Sequence, residues 1–541
     1  MSRLFSICMR LLLILFLSCF SISTLHAQRN VVLIIADDLG LEYCGFYEQH
    51  GDTVIMPNVR SLLNKGIRCT RAWSNPLCSP TRAGILTGRY SFRTGMGDAV
   101  GGQNSNNLDT SELTIPTLLE AYKPSGIAKA NIGKWHLNSP MPQTNFQIPI
   151  KMGYDYYEGN FSGQLPNYYA WNKIKNGVNA PCSTYATIEI TNAAIDWVKS
   201  VPTSKQMFLW LAYNAPHSPF HLPPSNLHSY SNLKGTAQDT ATSVIPYYKA
   251  MCEALDREIG RLFDSLKAIN RYDSTDFIFI GDNGSDPRVY QGNTRAKGSV
   301  YQDGISVPFI ISGPSIVNPG RVSDALINTH DIFATVLELF GYANWRDAIP
   351  LNKPVDSRSL LPIIHNTNQS IREWVFSEVF KTTPAQFDGK TMRNNEYKLI
   401  DFDNGSQAFF NLINDPTEKD NLLLKNMSTI ERDNYTYLCQ EMTKLVGKGG
   451  FCITTGIHDI SPENNIFTYD SQHDLIRLHL ECEVITPFMC TSSDGRNILF
   501  EYSGNPSTEM IINTSSFSSG MYTIHYSCNG ISFEHSFIIH R

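Results

Sequence analysis

Four runs rich in apolar, β-branched or aromatic residues constrain this chain most: VVLIIA from Val31, IAKANI from Ile127, MFLWLAY from Met207 and DFIFIG from Asp276. Continuous apolar, β-branched or aromatic runs of this length predict strands buried on both faces, as parallel strands are. Between and after them lie segments with apolar residues at helical spacing: IPTLLEAY from Ile115, YATIEITNAAIDWVKS from Tyr185, YYKAMCEALDREIGRLFDSLKAI from Tyr247 and THDIFATVLELFG from Thr329, the last stopped by Gly341. The alternation predicts an α/β domain, a large mixed, mostly parallel sheet with helices on both faces.

Each run is followed at once by residues able to do chemistry: Asp37 and Asp38, then Lys134 and His136, then His217, then Asp282 and Asn283. Open parallel sheets bind ligands beyond the carboxyl ends of their strands, so the four segments are expected to converge on one site. Asp37, Asp38, Asp282 and Asn283 supply hard oxygen donors, a set for calcium or magnesium and not for zinc. Singly they have simpler readings, a pair of helix caps for the two aspartates and a turn for Asn283-Gly284. Lys134 and His136 stand two apart, so in an extended segment they face one side and Trp135 the other. A lysine beside a histidine suits an anionic substrate that also needs proton transfer. His217 alone reads as a loop histidine, and Lys297 in RAKGSVYQDGISVP as a solvated surface charge. Cys78, in NPLCSPTRAGILTG, reads by itself as a small buried hydrophobe or as a thiolate nucleophile, with no adjacent base for the second role.

The formal charge of −6 over 541 residues gives no basic field, which argues against nucleic acid as a partner and leaves any anion to a local cluster. Residues 1–27 read as a signal peptide, with Arg3 and Arg10, the apolar LLLILFLSCF and small Ala27. That run is about half the ~20 residues a membrane span needs and no later one qualifies, so the expectation is an exported protein without a transmembrane segment, in the periplasm, at the cell surface or outside the cell. Cys19 has a lipidated cysteine as its alternative. Twelve cysteines at irregular spacing do not make a disulfide framework. The expectation is at least one buried thiol, and one bridge among Cys482, Cys490 and Cys528.

From about Pro350 the pattern changes to the short strands of WVFSEVF, EYKLIDF and QAFFNLIN, which predicts a smaller antiparallel subdomain over 350–455 after a catalytic domain over 28–349. Residues 461–541 predict a small β-sandwich, closing in a hairpin with Asn529 and Gly530 at its turn. That last region resembles the C-terminal sorting or immunoglobulin-like modules of secreted proteins of the Bacteroidetes.

PLCSPTRAGILTG, from Pro76 to Gly88, matches the signature of the type I sulfatases, whose core is Cys-x-Pro-x-Arg, and GIAKANIGKWHL from Gly126 resembles their second signature. The resemblance runs from about Asn30 to Asn421 and implies an alkaline-phosphatase-like fold and a bacterial carbohydrate sulfatase. In that family a maturation enzyme oxidises the motif cysteine to formylglycine, an aldehyde whose hydrate is the nucleophile. The resemblance implies that Asp37, Asp38, Asp282, Asn283 and the modified Cys78 ligate Ca2+, with Mg2+ an alternative. It also implies that Arg82, Lys134, His136, His217 and Lys297 form the sulfate pocket; because a sugar oxygen leaves poorly without a proton, His217 is the candidate general acid, with Lys297 or His136 as the alternatives. The expected substrate is a sulfated carbohydrate, with Trp135, Tyr168, Tyr169 and Trp171 as aromatics able to line its pocket. A phosphate or phosphonate monoester hydrolase of the same fold, or an inactive glycan-binding homologue, are the alternatives. The chain departs from the family at QDGISVP, from Gln302, and at Lys129, positions that bear on substrate fit.

Overall fold

The computed structural model describes residues 29–447 apart from 48–51, 102–105, 293–294 and 382–385, and beyond 447 a set of strands within 467–539. The expected signal peptide and the expected Asn529-Gly530 turn lie outside the described residues, as do the side chains of Cys482, Cys490 and Cys528. No described helix is long and apolar enough to cross a membrane.

The four apolar runs form β1 (Asn30–Ala36), β3 (Ile127–Lys134), β7 (Gln206–Ala212) and β8 (Thr275–Gly281). They join β2 (Gly66–Trp73), β4 (Tyr156–Asn160), β5 (Trp171–Lys175), β6 (Val178–Cys182), β9 (Phe309–Ser312) and β10 (Arg321–Asn328) in one ten-stranded sheet of order β10-β2-β9-β8-β1-β7-β3-β4-β5-β6. β8, β1, β7, β3 and β4 are parallel neighbours, whereas β9 runs antiparallel to both β8 and β2. The reversal has a use. The segment that leads into β9 starts from the edge where β1, β2, β3, β7 and β8 end, so Lys297 arrives there as well.

Both faces of the sheet are covered. Val31, Leu33 and Ile35 of β1 belong to one apolar cluster and Val32, Ile34 and Ala36 to another, the alternation a pleated strand imposes. The first cluster takes in Ile115, Leu118 and Leu119 of the helix Ile115–Tyr122 and Phe333 and Leu337 of Asp331–Leu339. The second takes in Ile190 and Val198 of Ala186–Ser200 and Leu255, Ile259 and Leu262 of Val244–Ala268. Removing one such side chain, as in Leu33→Ala, costs about 2–5 kcal/mol.

A four-stranded antiparallel sheet follows: β11 (Val375–Val379), β12 (Gly389–Arg393), β13 (Tyr397–Phe402) and β14 (Gln407–Asn411), in that order. The chain divides into two compact units, the first ending at Lys425 and the second running from Asn426. The second unit holds the helix Thr429–Val446, which has a capping box from Ser428 and Glu431. Its described residues also form seven strands in two antiparallel sheets. Of the cysteines, Cys44, Cys69, Cys78 and Cys252 are buried free thiols, and Cys439 is disulfide-bonded.

Candidate functional site

The C-terminal edge of the sheet gathers the residues that follow its strands. Asp37 and Asp38 leave β1 with Asp38 at φ 64, a left-handed conformation that aspartate tolerates better than most residues, and this turns the Asp38 amide onto Asp282 Oδ1 at 3.1 Å. Gly133, at φ 103 near the end of β3, lies so close to the Ala212 carbonyl that a Cβ would collide with it. His136 takes φ 49. Lys134 and His136 therefore do not share a face along an extended strand. Both reach the site nonetheless, because the chain turns after Lys134.

Cys78 is the first residue of the helix Cys78–Thr87, every residue of which is buried. Its neighbours in the motif each have a task. Ser79 donates to the His136 carbonyl at 2.7 Å and accepts from the Val100 amide at 3.0 Å, and Thr81 Oγ1 accepts from the Asn75 amide at 3.0 Å. Arg82 reaches Asp282 Oδ2 with Nε and Nη2 at 3.1 and 2.7 Å, and the Lys134 carbonyl with Nη1 at 3.2 Å. Thus four of the first five helix residues serve the site or the loops that frame it.

Three carboxylates and three cations meet there. Lys134 Nζ donates to Asp37 Oδ2 at 2.6 Å, Lys297 Nζ to Asp38 Oδ2 at 2.8 Å, and Arg82 Nη2 lies 3.6 Å from Asp37 Oδ1. Lys297 is only 16% exposed, so the solvated-charge expectation fails for a specific reason. Its amide bonds the Ser285 carbonyl and the next amide bonds the Pro76 carbonyl, which pins the segment between the motif and the loop after β8. Burial alone would lower the Lys297 ammonium pKa, but Asp38, Cys78 and Asp37 together outweigh it and hold the group charged. Burial alone would raise Asp38, but Lys297 and His217 hold it low. Burial pushes Asp37 up against the pull of Lys134, and Asp282 adds to that push.

The two histidines are neutral for different uses. His136 Nε2 sits 2.7 Å from the Val100 carbonyl, which can only accept, so Nε2 carries the hydrogen and Nδ1, 3.1 Å from Cys78 Sγ, presents a lone pair. Burial, then Lys134, keep its pKa well below the ordinary value. His217 donates from Nδ1 to the Ser218 carbonyl at 2.7 Å and points Nε2 at Asp38 Oδ2 from 3.6 Å. Burial draws its pKa down to about 4 against the pull of Asp38, so at neutral pH the imidazole holds no acid proton of its own.

The donors fit a hard divalent cation. Asp37, Cys78 and Asp282 can bring one ligand atom each within 4.8 Å of one another, as can Asp37, Asp38 and His217. Asp37 Oδ1 and Asn283 Oδ1 are buried acceptors with no hydrogen-bond partner, an arrangement that costs free energy unless a cation or donor meets them. Asn283 turns its amide nitrogen to Asp38 Oδ1 at 2.8 Å, which leaves Asn283 Oδ1 without a hydrogen bond.

Two of the expected pocket aromatics are structural. Trp135 packs between Tyr154, Tyr157 and Phe161 with its indole N–H on Asn138 Oδ1. Trp171 is buried, and its indole N–H bonds the Thr184 carbonyl. Both lie on sheet strands or immediately beyond one, where the core claims a large ring. Tyr168 and Tyr169 do line a pocket. Sequence reasoning missed Tyr248, whose hydroxyl donates to the Asp38 carbonyl at 2.7 Å from inside a long amphipathic helix, and the Val100 carbonyl, a backbone group no side-chain pattern marks. Among the departures, Lys129 is a buried strand lysine paired with Glu120 and Asp155, and Gln302 accepts from the Trp73 indole at 2.8 Å; neither touches the charged cluster.

A family model described as Sulfatase matches residues 29–342, and one described as N-sulphoglucosamine sulphohydrolase, C-terminal, matches 295–445. The chain is 27% identical over 432 residues to sulfatase YdeN of Escherichia coli strain K12, covering 69% of this chain and 74% of that one. It is 23% identical to an arylsulfatase of Klebsiella aerogenes, covering 62% of this chain and 90% of the relative. Among solved structures it resembles Ps i-CgsB in complex with k-i-k-neocarrahexaose, with a TM-score of 0.66 and 26% identity over 78% of this chain and 94% of that one. A second, in complex with its substrate D-glucosamine-2-N,6-O-disulfate, superposes with a TM-score of 0.62 at 21% identity over 78% and 98%, a likeness of fold.

Proposed function

Because the chain belongs to the sulfatase family and is a sulfuric ester hydrolase, we propose that it acts after export on a sulfate ester carried by a sugar of a glycan, with Cys78 converted to formylglycine and a calcium ion bound at the sheet edge. The observation that carries this reading is Cys78 Sγ, 3.1 Å from an unprotonated His136 Nδ1, within a shell of three carboxylates and three cations. Likeness to a saccharide-bound structure above one-quarter identity supports a sugar. Asp37, Asp38, Asp282, Asn283 and residue 78 would hold the ion.

A cation bound there would offset the carboxylate charge and polarise the sulfate oxygens. A hydrated aldehyde at position 78 would put an oxygen nucleophile where the thiol stands. The remaining work belongs to the chain. Arg82, Lys134 and Lys297 attract the non-bridging sulfate oxygens and orient sulfur toward position 78. His136 takes the hydroxyl proton of residue 78 at Nδ1, since its other nitrogen is committed to Val100. As the bond from sulfur to the bridging oxygen breaks, that oxygen needs a proton, and His217 Nε2 faces the cluster to supply it. The anionic substrate must first raise that imidazole from its depressed value, a task Lys297 would inherit if His217 only binds.

Two measurements test this. The peptide containing Cys78 from active enzyme is expected to be lighter than encoded and to react with a carbonyl probe; full activity with an intact thiol overturns the mechanism. Defined sulfated mono- and disaccharides are expected to be hydrolysed faster than phosphate monoesters. Activity confined to steroid or phenolic sulfates refutes the sugar assignment.

A further inference from the structure

His217 divides two spaces. Its imidazole faces Asp38, while its carbonyl, with that of Asn214, accepts from the Tyr168 hydroxyl at 2.7 and 2.8 Å. Tyr168 is the back wall of a pocket of about 750 Å³, the size of small-molecule sites, whose other walls include Tyr169, Phe220, His221, Leu222 and Arg288. The pocket is tied to the catalytic edge from two sides. Tyr168, Phe220 and His221 meet the loop that carries His217, and Arg288 lies on the loop that carries Asp282 and Asn283. Phe220 also packs edge-on against Tyr248, 6.1 Å between centroids, the residue that holds the Asp38 carbonyl.

The pocket's polar groups are mostly spent inside it. His221 donates from Nδ1 to the Pro219 carbonyl at 2.8 Å and accepts at Nε2 from the Tyr185 hydroxyl at 3.0 Å, and its ring lies 4.1 Å from that of Tyr168. Tyr169, 40% exposed, gives its hydroxyl to the Leu222 carbonyl at 2.7 Å and offers its ring. Among the described lining residues Arg288 alone carries a full charge. Its guanidinium lies over the Phe220 ring, 4.9 Å from the centroid, and Asp286 grips Nε and Nη2 at 2.9 and 2.7 Å. The grip fixes the plane and leaves Nη1 as the donor edge, on a side chain 59% exposed. An aromatic wall with one oriented guanidinium suits a sugar ring that carries an anion.

We infer that this pocket is the subsite for the sugar next to the one being desulfated, and that Arg288 selects substrates with a second anionic group there, a sulfate or a carboxylate. The inference rests on the proposed action on glycan sulfates and adds to it: a singly charged aryl sulfate needs the charged cluster only, whereas a multiply charged saccharide uses both spaces.

The test is steady-state kinetics of the wild type, Arg288→Ala, Arg288→Lys and Tyr169→Ala on 4-nitrophenyl sulfate and on a panel of disaccharides with one sulfate, two sulfates, or one sulfate and a neighbouring carboxylate. The wild type is expected to favour the doubly charged disaccharides. Arg288→Ala should raise their KM about tenfold, the worth of one charge-assisted contact, with the lysine variant recovering most of it. The singly charged substrates should stay within about twofold, since Arg288 is not in the charged cluster. Tyr169→Ala should raise KM for every disaccharide and spare the aryl sulfate. Wild-type enzyme that hydrolyses sulfate esters but gains nothing from a second charge overturns the subsite, as does equal loss on all substrates in Arg288→Ala. Wild-type enzyme that cleaves phosphate esters and no sulfate overturns the proposed function itself, a separate result. The panel also separates a sulfate from a carboxylate as the group read.

Discussion

Among the places in the first unit that bury full charges, two are built differently. Beneath β11 to β14, Lys398 Nζ lies 2.6 Å from Glu418 Oε1, both side chains are almost wholly buried, and the second Glu418 oxygen accepts from the Gln302 amide at 2.6 Å. One cation meets one anion, and the lysine leans over the Trp73 ring 5.1 Å away. At the sheet edge three carboxylates meet three cations, and Asp37 Oδ1 and Asn283 Oδ1 have no hydrogen-bond partner. Burial of charge is therefore no sign of function by itself. What distinguishes the edge is that its charges come from several strand ends and that its side chains can bring ligand atoms within 4.8 Å of one another. The pair is also a support for the edge, because Arg295, two residues before Lys297, donates to the Glu418 carbonyl at 2.6 Å.

The comparison breaks first at Cys78. Cys78→Ala should abolish turnover, a loss above about 10⁴-fold, while the thermal midpoint moves by no more than about 4 °C, since one small side chain is shortened. A variant that keeps activity would make the edge another structural cluster. His217→Ala should cost about 10² to 10⁴ in rate on a sugar sulfate, the usual loss for a general acid, and much less on an activated aryl sulfate whose leaving group needs no proton. Equal loss on both assigns His217 to binding. Glu418→Gln tests the other cluster, leaving Lys398 buried without its anion at a cost of about 3–5 kcal/mol in urea unfolding, with kcat of the folded enzyme nearly kept. Lost kcat at unchanged stability would reverse the two roles.

The smallest effect sharpens the contrast with a third buried charge. Glu378 in β11 is 1% exposed, accepts from the Phe92 amide at 2.7 Å through one oxygen and has no partner at the other. Burial raises its pKa from 4.5 to about 7. A raised folded-state value means that its contribution to stability is complete below pH 4.5 and is lost as the pH rises through about 7. Unfolding free energy should fall by about 3 kcal/mol across that window, and Glu378→Gln should flatten the fall. An unchanged pH profile in the variant would show that Glu378 is not the group responsible.

The middle of the large sheet was legible because β1, β7 and β8 are apolar on both faces beyond their first residues, which no surface strand can be. β2, with the sequence GIRCTRAW, was not, since arginines and a threonine interrupt it at a position where only one side is fully covered. The metal-ligand candidates could be named from their place after the strands. Cys78 and Lys297 could not, because a buried cysteine and a loop lysine have common explanations, and only the family motif singled them out. The geometry adds why the motif holds: Ser79, Thr81 and Arg82 are spaced along one helix to reach Val100, Asn75 and Asp282. Tyr248 and the Val100 carbonyl left no trace in the pattern, since their partners lie far away in the chain.

The burial of Cys78 also sets an order of events. The residue is 2% exposed, with His136 against its sulfur and a segment near position 297 hydrogen-bonded to Pro76 just before it. The groups that wall it in come from as far along the chain as Lys297, so the thiol stays reachable until most of the first unit has been synthesised and has closed. Under the proposed formylglycine mechanism, an enzyme that oxidises it would have to act in that interval, on an open chain. Maturation would then be a race between oxidation and folding: a chain that folds faster would finish with its structure intact and its nucleophile unmade, and slowing closure would raise the active fraction without altering a single residue of the site.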